Sequence, residues 1–316
     1  GKITVNGTAA GVIIDNSTNV TYFYDGATVE TTGGGATTKL IYTGLATLGG
    51  LPEFEKSIPL SIKNTAGSVT VSSTATVGSQ GVIRNLTLNG TFTLTANSMS
   101  VWGNYTYVAG TITAGTQFWY LGGAAGTTST LNFGGVTHDL NLVVGGSIGA
   151  VWNNNEVIQL GSALTLGATK SFNVLLSTTT NGAEFKTNNY NITANAMNSG
   201  FSGKFTAGTS TITLTGVNGQ ISAGNVVFQD FNSGPNAAKF DGASSTILLS
   251  NTTTSARTLS FTNLDSRYGK ITIGGTTGIS TTTFNLGYPV YITELASTKT
   301  VAHTILFTDT TNVNIG

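Results

Sequence analysis

Two histidines, His138 and His303, stand far apart in this 316-residue chain, and there is no cysteine. A catalytic zinc site needs three converging protein ligands, and no His-x-x-x-His pair or three-ligand cluster is present to supply them. His138-Asp139 has the residue types of a base and its orienting carboxylate. Adjacent residues on a strand point to opposite faces, so the two are poorly placed to pair. Glycoside cleavage needs two carboxylates within roughly 5–10 Å. The candidates Glu156, Glu184, Asp230, Asp241 and Asp265 form no paired motif, and only stacking of distant segments could bring them together. Glycine-rich stretches such as Gly33-Gly34-Gly35 lack the Lys-Ser/Thr and following helix of a phosphate loop. No catalytic residue, metal ligand or cofactor is assigned.

One aromatic cluster has binding potential. Trp102, Tyr105, Trp119 and Tyr120, with Tyr107 and Phe118 among them, could stack on sugar rings. The commoner role of such a cluster is core packing and cross-strand pairing.

The elements that must position these residues read as strands throughout. Segments such as Val69-Thr70-Val71, Leu86-Thr87-Leu88, Ile212-Thr213-Leu214 and Ile271-Thr272-Ile273 alternate apolar and hydroxyl residues, and Asn-Gly or Gly-Gly punctuates them. No stretch of ten or more residues has helical apolar spacing with good helix formers. Val20 to Tyr24 reads as a hairpin strand turning at Asp25-Gly26. The segment Glu53 to Lys56, between Pro52 and Pro59, reads as a loop or junction.

Internal echoes give the organisation. Leu94 to Met99 matches Ile192 to Met197, and Ala114 to Gly123 matches Ala207 to Gly216. A shorter echo pairs Phe205-Thr-Ala-Gly-Thr-Ser-Thr-Ile with Phe240-Asp-Gly-Ala-Ser-Ser-Thr-Ile. The sequence predicts an all-β chain: parallel β-helix (solenoid)-like repeats behind an N-terminal β-sandwich or cap, with tandem antiparallel sandwiches as the alternative. The expected divisions are 1–80 (cap or assembly domain), 81–168 (first repeat unit) and 169–316 (second repeat unit).

Composition narrows the role. Charged residues make up 8% of the chain, and thirteen basic residues balance thirteen acidic ones. Without clustered positive charge, nucleic acid is not an expected partner. The longest apolar runs are a few residues, so no membrane insertion is expected. A neutral, charge-poor surface favours association, so copies of the chain itself are the expected partners. The strands around Ile3, Val5, Val12 and Ile14 are candidate donors to a neighbouring subunit's sheet. The chain starts at Gly1 rather than Met, as a processed product or excised region would.

The segments Asn189-Tyr-Asn-Ile-Thr-Ala194, Phe205 to Gly216, Phe240 to Leu249 and Tyr268 to Gly275 resemble the repetitive β-rich regions of phage tail-fibre and bacterial surface-adhesin proteins. The resemblance spans roughly 165–310 and, more faintly, 82–150. It departs from the pattern at Val217 to Val227, where a Trp is common. It implies an extracellular virion appendage or cell-surface filament and identifies no binding residue. The expected function is therefore a self-assembling, non-enzymatic structural or adhesive subunit, with a cell-surface glycan or host receptor as a further partner. The alternatives are a carbohydrate-binding module and a polysaccharide-degrading β-helix enzyme.

Overall fold

In a computed structural model the described residues are 2–4, 13–16, 19–22, 27–30, 39–42, 68–71, 75–77, 81–83, 86–94, 99–122, 126–145, 156–176, 183–201, 203–216, 226–231, 240–250, 256–262, 266–275, 281–287, 290–308 and 313–316. Up to residue 100 the description is of backbone, apart from Leu88. Every element among them is a strand, and all but one hairpin belong to a single 27-stranded sheet.

The chain is a parallel β-helix solenoid. From strand Ser68–Val71 onward each described pairing is parallel and joins a strand to the one a full turn later. Each turn lays strands on three faces. On the first face the register runs Leu40, Val69, Leu86, Tyr105, Leu131, Leu160. The second face carries Leu164, Ile192, Ile212, Ile247, Ile271 and Leu295 in one column. Trp119, Leu142, Phe172, Met197, Phe228, Leu259, Phe284 and Phe307 form the column of the third.

These columns are the core. Alternation along each strand sends every second residue inward, as in Val157–Leu160, where Ile158 and Leu160 are buried and Val157 and Gln159 are half-buried. Like residues then stack on like. Phe185, Phe205 and Phe240 follow one another in register at centroid distances of 5.1 and 4.9 Å, the last pair nearly parallel at 12°, and Phe172 of the third face packs against Phe185 at 5.5 Å. Such contacts add about 0.5–1.5 kcal/mol per pair beyond the area they bury.

The corners are held by side chains reaching to the next turn. Asn189 adopts a φ of 66°, and its Oδ1 accepts from Thr209 N–H at 2.9 Å. Asn191 Oδ1 accepts from Thr211 N–H at 2.9 Å. A different corner device occurs in strand Phe240–Leu249, where Ala243, Ser244 and Ser245 stand opposite the single residue Gly269. The extra residues bulge outward, and their carbonyls crowd Gly269 so closely that a methyl there would meet Ser245 O at 2.4 Å.

Three sequence expectations change. Tandem antiparallel sandwiches are excluded by the parallel ladder. The boundary at 168/169 falls between strands Leu164–Leu166 and Ser171–Leu176, inside one turn, and the ladder crosses it on all three faces. Near the N-terminus, Ala27–Glu30 pairs antiparallel with Lys2–Thr4 and Lys39–Tyr42, so antiparallel strands do precede the solenoid, where a cap belongs. Strand Asn19–Tyr22, however, pairs back onto Ile13–Asn16 rather than forward across Asp25-Gly26. The segment Glu53 to Lys56 lies outside the described residues.

Candidate functional site

The aromatic platform separates into an inner and an outer set. Tyr105 and Trp119 are each 1% exposed and meet edge-to-face at 5.7 Å, with Phe133 at 5.2 Å from Tyr105. Neither offers a ring face to a ligand, so stacking by these two is corrected to core packing. Burial and the neighbouring Tyr107 push the Tyr105 phenol well above its ordinary pKa, so it stays neutral. Tyr120 and Phe118 point outward on the same strand, 6.2 Å apart, with Phe118 39% exposed. Trp102 pairs through its backbone with Gly122, and its side chain lies outside the described residues.

The candidate donor strands have partners within the chain: Ile3 faces Val29, and Ile14 faces Thr21. Val5 and Val12 lie outside the described residues.

His138 and Asp139 diverge as alternation demands. His138 is buried, with Nε2 donating to Phe133 O at 2.9 Å; Asp139 is exposed and pairs with Lys170 at 3.5 Å. Desolvation lowers the His138 pKa, against a smaller upward pull from that hydrogen bond. Of the scattered carboxylates, Glu156 is buried and Asp265 lies outside the described residues. Asp230 is fully enclosed, accepting from Ser266 Oγ at 2.7 Å and from the Tyr268 hydroxyl. Burial first, then the Asp230 charge, holds the Tyr268 hydroxyl well above its usual pKa. This trio ties two successive turns together inside the core.

Glu184 and Asp241 are the pair that folding draws toward one place. Lys204 Nζ lies 3.9 Å from Glu184 and 3.1 Å from Asp241, with Lys186 also on Glu184 at 3.2 Å. Each carboxylate therefore already faces a cation.

These groups open onto a groove of about 1000 Å³ on the outer side of the first face, lined by Lys204, Asp241, Arg267, Tyr291, Thr293 and Asn314. Its floor is one outward column: Asp241, Arg267, Tyr291 and Asn314 are successive register partners. Strand spacing sets these side chains about 4.8 Å apart along the solenoid. The outward bulge contributes Ala243 to the wall. Tyr291 is 50% exposed, a setting that few aromatic rings share among the described residues. Among the described residues no acidic side chain lies within ion-pair distance of Arg267, whereas Lys204 already has its carboxylates. The column is invisible as a local motif, because each member comes from a different turn.

Among the described residues, no three His, Cys, Asp or Glu side chains gather to hold a metal, and no helix is long and apolar enough to cross a membrane. Comparison with protein-family models, curated proteins and solved structures finds no match.

Proposed function

We propose that the chain is a structural and adhesive subunit of an extracellular appendage, a phage fibre or cell-surface filament, and that it associates with copies of itself. The observation that carries this reading is the uninterrupted coil-on-coil ladder from Lys39–Tyr42 to Val313–Ile315. A solenoid of this kind is an elongated spacer whose core grows with every added turn. The surface is in keeping with that role: charge is scarce, and outward positions of the second face repeat threonine at 137, 165, 193 and 213. A hydroxyl-rich, charge-poor rod of zero net charge has little electrostatic repulsion to keep its copies apart.

Electron microscopy and light scattering of the purified full chain test the reading. Filaments or discrete oligomers are expected. Strictly monomeric particles at high concentration would overturn it.

A further inference from the structure

We propose that the groove on the first face binds a carboxylate-bearing polysaccharide, a hexuronate chain laid along the solenoid axis. The inference concerns this one surface and stands whether or not the chain forms fibres.

Four features select the ligand. An exposed tyrosine ring offers the flat apolar face on which a pyranose packs, while its hydroxyl stays in water. Next to it in register, Arg267 presents a planar fork of donors without an acidic partner among the described residues, and that fork matches a carboxylate in a two-bonded geometry. Thr293 and Asn314 add hydroxyl and amide groups suited to vicinal sugar hydroxyls. Asp241, held by Lys204 at 3.1 Å, accepts hydrogen bonds from sugar hydroxyls and offsets one of the two positive charges. The lining thus carries two cations against one carboxylate. It suits a ligand with one small anion per unit and otherwise neutral hydroxyls.

Dimensions agree with an extended chain rather than a single sugar. From Asp241 to Asn314 the column makes three register steps, roughly 14 Å at the usual strand spacing. One step is close to the length of one pyranose in an extended polysaccharide, so successive units would fall on successive turns. The outward bulge at Ala243 walls one flank and gives the floor its direction.

The test is calorimetric titration of the intact protein with short oligogalacturonates, neutral cello-oligosaccharides of matching length and dextran sulfate. The uronate should bind, with the neutral and sulfated chains at least tenfold weaker. Arg267→Gln should weaken uronate binding at least tenfold and erase the preference over the neutral chain. Tyr291→Ala should weaken uronate and neutral chains alike. Both side chains are exposed, so thermal melts should match the parent. Lys270→Ala, whose partner is Glu294 at 2.7 Å outside the groove, should leave binding unchanged. Failure of the uronate to bind, equal binding of dextran sulfate, or indifference to Arg267→Gln would each overturn the proposal.

Discussion

Alternation decides the fate of individual residues here. Phe118, Trp119 and Tyr120 are three consecutive aromatics, yet only the middle one enters the core. The sequence contains that rule but not its phase, because all three are apolar enough to be either inside or outside. His138 shows the same rule with a titratable group. It sits between the rings of Tyr107 and Phe133, at 5.0 and 5.4 Å, and the Phe133 carbonyl that its Nε2 meets requires the Nε2 proton. A second proton would have to be carried at Nδ1 inside the core, so the folded pKa lies below the ordinary 6.5. The unfolded chain then binds more protons in that window, and folding is favoured as pH rises through it. The stability from neutral His138 is full above the ordinary value and is lost as pH falls through the lowered one. Denaturant melts from about pH 8 to about pH 5 should decline more steeply for the parent than for His138→Gln. Parallel pH profiles would show that His138 is not the group responsible.

At the scale of elements, the echo between Phe205 to Ile212 and Phe240 to Ile247 turns out to be the stacking register itself. Phe205 pairs with Phe240, Thr206 with Asp241, Thr211 with Thr246 and Ile212 with Ile247. The longer-range echoes do not follow that register: Ile192 stacks between Leu164 and Ile212, and Leu94 pairs with Val77. The reason is that turn length is not fixed: contacts between neighbouring turns span 20 residues at Asn189–Thr209, 26 at Phe240–Ser266 and 29 at Phe133–Ser162. Variation is absorbed at corners, so a period cannot be read along the chain even though each face keeps register. The groove escaped sequence reading for the same cause, its members being separated by irregular intervals. The bulge makes the strongest demand on residue type. Gly269→Ala would press a methyl against three carbonyl oxygens, from Ser245, Ala243 and Gly242, at 2.4, 2.8 and 2.9 Å. Gly135→Ala has open space and only its positive φ of 71° to strain it, costing about 1–2 kcal/mol. Gly269→Ala should therefore lower the melting temperature clearly more than Gly135→Ala. An equal or smaller drop would mean that the corner is softer than its packing implies.

For the molecule as a whole, the consequences follow from each turn touching only its neighbours. Stability is then close to a sum of turn energies and nearest-neighbour interfaces. The ion pairs Lys204–Asp241 and Lys270–Glu294 join half-exposed or exposed groups and contribute little individually. Cohesion comes from the stacked aromatic and aliphatic columns, which salt does not screen.

The direction of the ladder hydrogen bonds carries a mechanical consequence. They bridge one turn to the next, so they lie along the solenoid rather than across it. Tension on the two ends of the chain peels the outermost turn away, breaking a few bonds at a time instead of shearing a whole sheet at once. With register partners one turn apart spanning from 17 residues at Val69–Leu86 to 35 at Phe205–Phe240, each peeled turn frees roughly 60–120 Å of extended chain. Single-molecule pulling should record a series of small, similar force peaks at that spacing, not one large rupture. A tether built this way yields length gradually, so a load on one copy is shared with its neighbours before any copy is lost.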